Sequence, residues 1–358
     1  MARLPLTLLM AAFAIWLAWS VSLRQAVLFA VGIGMGGVLA GARFGFTTGW
    51  RRLIEERDAS GVMAQLLLLA VAAACSIPLL AMFPGDLAAA LGPPSISLLI
   101  GAFVFGAAMQ IADGCGSGTL YKAGLGIPLN MGILPVFALG SFLGSAHLDK
   151  WLALGAIRPV GLVDLYGPTV ALALTALGLV LIAFVVRRWS GSTARWYDRK
   201  LFIGAVLLAV LAVLNLLVAG QPWGVVYGFG LWFAKIATAT GMFDPAQNAF
   251  WSQPGNFNAL SQTVFLDVTS ITNIGIMAGA LWIAVRKKPA AEPLSNRQWM
   301  IGIVAGFLLG YSSRLAFGCN VGAMVSGIST GSLHGWIWVV MAFGGSLIGV
   351  RLRRRYGF

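Results

Sequence analysis

The stretch FGAAMQIADGCGSGTLYKAG at residues 105–124 decides the fold, because it recurs as LGYSSRLAFGCNVGAMVSGI at residues 309–328. An internal repeat is the first feature to look for in a sequence, because a missed repeat leads to a wrong fold assignment. We therefore expect two similar halves, each with one cysteine in a glycine-rich break. One constant offset relates the two copies, taking Cys115 to Cys319, Gly106 to Gly310, Gly114 to Gly318 and Gly118 to Gly322.

Composition places the chain in a membrane. Of its 358 residues, 59% are hydrophobic and 10% are charged, whereas about a quarter of the residues of a soluble protein are charged. Apolar runs of the roughly 20 residues needed to cross a bilayer recur along the chain, and they do not fit the alternating strands of a transmembrane β-barrel. We predict an all-α polytopic membrane protein. The predicted membrane runs are residues 5–22, 25–41, 60–83, 97–113, 129–147, 166–187, 201–219, 260–286, 298–317 and 334–350.

The net charge of +13 indicates membrane orientation rather than nucleic-acid binding. Its basic residues cluster at the ends of apolar runs, and cytoplasmic loops carry an excess of Lys and Arg. We expect no nucleic-acid partner and expect membrane lipid, chiefly anionic, beside these clusters. The chain is predicted to be a multi-pass protein of the bacterial inner membrane with a cytoplasmic C-terminus. Three loops poor in Lys and Arg are placed outside: 84–96, 148–165 and 241–259.

Counting crossings back from a cytoplasmic tail makes the two Cys-Gly copies antiparallel in the membrane. Such inverted repeats are a recurrent transporter architecture, with substrate sites at the interface between repeats. The weaker pair of segments near 43–58 and 222–240 is short or interrupted by glycine, so we predict re-entrant short helices there. The expected organisation is a signal-anchor-like N-terminal helix at 1–24, a first repeat at 25–165, a linking helix and cytoplasmic loop at 166–200, and a second inverted repeat at 201–358.

Each repeated cysteine lies where an apolar helix stops. Non-helical backbone at membrane depth leaves costly unpaired N–H groups, so the two breaks predict buried polar space. A short helix that begins after such a break presents free N–H groups that suit an anion; we expect these helices to begin near 117–119 and 321–322. A lone buried cysteine is usually a small hydrophobic residue. We accept that interpretation for Cys75, whereas the symmetric placement of Cys115 and Cys319 argues against it.

Charged residues beside the breaks are further candidates, because a charge inside a bilayer normally faces a cavity or a partner. Alternatives stay open here, since Lys122 could pair with Asp113 or reach the interface, and Arg314 could make a structural pair. The isolated His147 and His334 favour structural roles. The sequence has no metal-ligand spacing, paired carboxylates, catalytic triad or phosphate loop, so we predict no metal, no cofactor and no enzyme. The candidate translocation residues are Cys115, Cys319, Gly114, Gly116, Gly118, Gly318, Gly322, Arg314, Lys122 and Arg43.

Three motifs give the chain a family resemblance: GARFGFTTGWRRL at 41–53, DGCGSGTLYKAG at 113–124 and RLAFGCNVGAMVSGIS at 314–329. From about residue 25 to the C-terminus it resembles the YeeE/YedE family of sulfur transporters, whose characterised members are thiosulfate uptake permeases. The resemblance implies inverted repeats with re-entrant helices and a substrate path past cysteines, to which Cys115 and Cys319 correspond.

The family often has a third cysteine in an R-F-C-type tripeptide, and Gly45 stands at that place here. The second motif resembles the YedE branch, which has been associated with selenium metabolism. Our first hypothesis is uptake of thiosulfate or a related sulfur-containing oxyanion. Transport of a selenium compound is an alternative. Another is a thiol or persulfide relay that hands sulfur to a cytoplasmic sulfur-carrier protein.

We predict that the basic C-terminal tail and the loop at 188–200 are cytoplasmic. A fluorescent-protein fusion at the C-terminus should fluoresce, and single cysteines introduced at 188–200 should resist impermeant thiol reagents added outside intact cells. A C-terminus outside the cell would overturn the crossing count, although the antiparallel relation of the repeats would survive an inversion of the whole topology.

Overall fold

A computed structural model describes residues 3–191, 194–285 and 293–358, and this part of the chain is almost entirely helical. Its short helical turns are a 3₁₀ turn at Pro245–Gln247 and a π-helical segment at Asn320–Ser326. The α-helices are α1 Arg3–Ser20, α2 Leu23–Gly41, α3 Phe46–Glu56, α4 Ser60–Met82, α5 Ile96–Ile111, α6 Gly116–Gly124, α7 Pro128–Ala146, α8 Leu148–Leu152, α9 Leu162–Ser190, α10 Arg199–Ala219, α11 Val226–Ala239, α12 Pro254–Ser261, α13 Val268–Ala284, α14 Asn296–Leu315, α15 Gly327–Ser329 and α16 Leu333–Tyr356.

The helices confirm the predicted all-α membrane fold. Within the described ranges, nine helical segments are long and apolar enough to cross a bilayer, and α13 is a shorter apolar helix. The run predicted at 260–286 was too long at its start. Asp267 caps α13 by accepting the backbone N–H of Ser270 at 2.7 Å, so the helix begins after this carboxylate. The short helices α3 and α11 occupy the two predicted re-entrant segments; their re-entry from opposite membrane faces stays a prediction.

Three breaks between helices share one backbone geometry. Arg43, Asp113 and Phe317 have φ angles of 51°, 52° and 56°, and each lies two residues before the N-cap of the next short helix. A non-glycine residue rarely adopts this left-handed conformation, and such residues cluster at functional sites. The short helices after the cysteines begin at Gly116 and Asn320, slightly earlier than the sequence indicated.

Glycines bring the long helices into backbone contact. A methyl group added at Gly106 of α5 would lie 1.9 Å from the carbonyl oxygen of Ala342 in α16, and one added at Gly310 of α14 would lie 2.1 Å from that of Phe137 in α7. Membrane helices gain no hydrophobic driving force against lipid, so small residues that permit close packing hold them together.

In each half, the long helix that follows the Cys-Gly break packs against the helix that precedes the break of the other half. Gly140 and Gly144 of α7 pack against α14, while Gly345 and Gly349 of α16 pack against α5. These glycines belong to two stretches that resemble each other in sequence, LGSFLG at 139–144 and GGSLIG at 344–349. The repeated sequence thus performs the same packing task in each half, and the inverted orientation of the halves remains a prediction.

We predict that Gly36→Ala destabilises the protein and that Gly37→Ala, one residue later, does not. A methyl group at Gly36 would lie 2.0 Å from the carbonyl oxygen of Ile276 in α13, whereas one at Gly37 meets no atom within 4 Å. Overpacking of this kind costs about 1–3 kcal/mol. Thermal unfolding of the two purified variants in detergent would measure the difference, and equal unfolding temperatures would contradict the close contact of α2 with α13.

Candidate functional site

Two cavities each have one of the repeated cysteines in their wall. The large cavity, of about 610 Å³, lies between the loop at 88–91, the start of α11, the α12–α13 connection and the break after α14, and Cys319 is part of its wall. The small cavity, of about 10 Å³, lies between the break before α3 and the break before α6, and Cys115 is part of its wall. The two thiols therefore belong to the walls of different cavities.

The Cys319 side chain is fully buried and lies against the backbone of Gly116. A methyl group added at Gly116 would be 3.0 Å from Cys319 Sγ and 3.5 Å from a side-chain carbon of Val226. The missing side chain at Gly116 consequently makes room for the thiol. Cys319 is also the N-cap of the π-helical segment, and its carbonyl accepts the backbone N–H of Ala323 at 2.8 Å.

Cys115 is the N-cap of α6 and is almost fully buried. Its Sγ accepts the backbone N–H of Gly118 at 3.4 Å and lies 3.4 Å from Ser117 Oγ. Gly116, which follows it directly, touches the other thiol. The structure thus brings the two Cys-Gly motifs into contact, while their cysteines line different cavities.

The predicted glycines divide between the cavities. Gly114 and Gly118 line the small cavity with Cys115, whereas Gly318 and Gly322 line the large cavity with Cys319. Gly318 has a φ of 148°, a conformation open mainly to glycine, so this residue type is needed for the break itself. A side chain at Gly322 would meet no atom within 4 Å, because it would project into open space.

Arg314 lines the large cavity as a cation without a carboxylate partner. Its Nε donates to Ser145 Oγ at 2.7 Å, and its guanidinium carbon lies 5.0 Å from the ring centre of Phe250. Among the residues that the structure describes, none of the ion pairs within 4.0 Å includes Arg314. The structural pairing considered for this residue is therefore present as a hydroxyl and aromatic contact, and no carboxylate of the described residues neutralises its charge.

Lys122 lines the small cavity and pairs with Asp113, one of the alternatives considered for it. Its Nζ donates to both the Oδ2 and the carbonyl oxygen of Asp113, each at 2.5 Å. The predicted candidate Arg43 is different, because its side chain is exposed and belongs to neither cavity wall. Arg43 is the residue with left-handed backbone at the break before α3, and its role in translocation stays a prediction.

Three polar side chains near the thiols are buried without a hydrogen-bond partner in the described residues, and sequence reasoning missed two of them, Asn320 and Trp223. Asn320 is fully buried directly after Cys319, and neither polar atom of its amide has a hydrogen-bond partner in the described residues. Thr47 Oγ1 in the small cavity and Trp223 Nε1 in the large cavity are also buried and unpartnered. A polar residue inside an apolar run was the available signal for Asn320; Trp223 had none.

The remaining cysteine and histidines lie elsewhere. Cys75 is exposed on the outer face of α4 and lines neither of the two cavities. His147 Nδ1 lies 3.2 Å from Tyr311 Oη, and His334 Nδ1 accepts the backbone N–H of Gly92 at 3.2 Å. These contacts tie loops to helices.

Comparison with known protein families gives one match that covers most of the chain. A family model described as sulphur transport matches residues 41–348. This range includes both Cys-Gly motifs and the break before α3.

Three curated proteins also resemble the chain. The thiosulfate transporter TsuA of Spirochaeta thermophila is 26% identical over 257 residues, which cover 67% of this chain and 72% of that protein. The probable transporter YedE of Escherichia coli is 36% identical over 77 residues, which cover 22% of this chain and 19% of that protein. Its counterpart from Salmonella typhimurium is 34% identical over 77 residues, with the same coverage.

Proposed function

Because the chain belongs to the YeeE/YedE family of sulphur transporters, we propose that it is an inner-membrane permease for thiosulfate or a related sulfur-containing oxyanion. The ion passes from the large cavity to the small cavity by way of Cys319 and then Cys115. The observation that carries this proposal is the position of the two thiols, each buried in the wall of a different cavity. The similarity to a thiosulfate transporter supports thiosulfate as the first substrate to test.

The predicted topology gives the path a direction. The walls of the large cavity include residues 88–91 and parts of the α12–α13 connection, which belong to or adjoin the loops that we place outside. The small cavity adjoins Arg51 and Arg353 through Asp113, and these arginines belong to basic clusters that we place in the cytoplasm. The ion therefore enters the large cavity from outside and leaves toward the cytoplasm.

The residues along this path suit a soft, divalent anion. Bringing a dianion into a narrow constriction removes its water at a large cost, and Arg314 supplies a positive charge where the ion enters. A neutral thiol donates a weak S–H hydrogen bond that suits a terminal sulfur atom, whereas a thiolate would repel the ion. Cys319 and Cys115 then act as successive weak sites, which bind well enough to admit the ion and loosely enough to release it.

We expect Cys115→Ala and Cys319→Ala each to abolish thiosulfate uptake in a bacterium that lacks its own sulfur-uptake systems. Both substitutions remove only a small buried group, so the protein should still be made and inserted. Cys75→Ala is the matched control and should keep uptake, because that thiol lies outside both cavities. Uptake of labelled thiosulfate, normalised to the amount of protein in the membrane, measures the effect. If Cys75→Ala proved as damaging as the other two, the assigned path would be wrong.

We expect Gly45→Cys to sharpen the preference for thiosulfate. Gly45 lines the small cavity beside Cys115 with a φ of −126°, a conformation that cysteine adopts freely. An added Cβ would lie 3.0 Å from Thr48 Oγ1 and 3.3 Å from Thr48 Cβ, so the Thr48 side chain must shift by a few tenths of an ångström. Gly45→Ser is the matched control, since it adds a hydroxyl of similar size without a thiol.

Competition of labelled thiosulfate uptake by sulfate, sulfite and selenite would measure this selectivity. The cysteine variant should resist these competitors better than both the wild type and the serine variant. Unchanged selectivity in a cysteine variant that still takes up thiosulfate would mean that position 45 does not face the ion.

A further inference from the structure

The Asp113 carboxylate is surrounded by three cations from three different helices. Its Oδ1 lies 2.8 Å from Arg51 Nη1 of α3 and 3.6 Å from Arg353 Nη1 of α16, and its Oδ2 lies 2.5 Å from Lys122 Nζ of α6. The side chains of all four residues are no more than 25% exposed. Three partly buried cations repel one another, so the carboxylate is what allows them to converge.

This cluster carries more positive charge than its own carboxylate neutralises. Three cations against one carboxylate leave two positive charges, which equal the charge of a divalent oxyanion. The adjacent Arg354 does not change this balance, because it pairs with Glu55 at 2.7 Å. An excess of cations that is partly shielded from water is a place where an anion gains strong charge-assisted hydrogen bonds.

The cluster also lies beside the path. Asp113 and Lys122 line the small cavity together with Cys115 and Gly45. The small cavity has a volume of about 10 Å³, which is room for roughly one water molecule and too little for an oxyanion. The Asp113 side chain thus fills the position at which an anion leaving Cys115 would next meet positive charge.

We propose that Arg51, Lys122 and Arg353 form an anion-binding site for a divalent oxyanion, which the Asp113 carboxylate occupies as a tethered competitor until the transported ion displaces it. This inference rests on the proposed transport function. The second contact of Lys122, to the carbonyl oxygen of Asp113, keeps the break in place when the carboxylate moves. Competition by the carboxylate weakens the site for the ion, and a weak last site favours release into the cytoplasm.

The test is anion binding to the purified full chain in detergent, measured by thermal unfolding during titration with sodium sulfate or sodium thiosulfate, with sodium chloride keeping ionic strength constant. Asp113→Asn removes the competitor while keeping its shape. It should reach half-maximal stabilisation at a dianion concentration about tenfold lower than the wild type, as expected for the loss of one charge-assisted contact. Glu56→Gln is the matched control, since it removes an exposed carboxylate of α3 that makes none of the ion pairs among the described residues, and its titration should follow the wild type.

A folded Asp113→Asn variant with an unchanged titration would overturn the proposal. If the Asp113→Asn variant does not fold without added dianion, the same titration of Arg51→Gln tests the proposal, because this substitution removes one cation from the site. Its half-maximal concentration should rise about tenfold, and an unchanged value would equally overturn the proposal.

Uptake by the wild type separates this inference from the function on which it rests. Thiosulfate uptake by wild-type cells with no change of anion binding in Asp113→Asn would refute the anion site and leave the transport function standing. Tighter dianion binding in Asp113→Asn, with no thiosulfate uptake by the wild type, would refute the transport function and support the site.

Discussion

The constraint on which the structure depends is that a helix broken inside a bilayer must find new partners for its backbone. Each unpaired N–H or C=O group in hydrocarbon costs several kcal/mol. At the first break, Gly118 donates its N–H to Cys115 Sγ and Thr119 donates to the Cys115 carbonyl at 2.8 Å. At the second, Trp338 Nε1 donates to the carbonyl of Gly318 at 3.2 Å. Because protein groups satisfy these breaks, polar space can exist there, and the cavities, the thiols and the cation cluster all adjoin it.

Close helix packing holds the two breaks against each other. Gly106 and Gly345 lie at the contact of α5 with α16, where an added methyl group at either would be 1.9 Å from a carbonyl oxygen of the opposite helix. The helices before each break are therefore fixed to helices of the other half. A methyl group added at Gly116, directly after Cys115, would lie 3.0 Å from Cys319 Sγ, so the two Cys-Gly motifs are in contact.

Hydropathy and glycine content predicted the membrane helices and the two Cys-Gly breaks well, because both depend on local sequence. The Lys122–Asp113 pair was one of the alternatives considered, but the convergence of Arg51 and Arg353 on Asp113 was not predictable, since α3, α6 and α16 are distant in the chain. Arg51 and Arg353 looked like topology signals at helix ends. Arg43 has an exposed side chain and a left-handed backbone at the break before α3, and its place on the ion path stays a prediction.

The central claim is that an intact ion passes the two thiols. Thiosulfate has two inequivalent sulfur atoms, so each can be labelled separately and offered to liposomes that contain only the purified chain. Passage of the intact ion predicts that both labels enter at the same rate and in equal amounts. If only the terminal sulfur entered while sulfite stayed outside, a cysteine would have taken that sulfur as a persulfide, and the account of Cys319 and Cys115 as weak non-covalent sites would be contradicted.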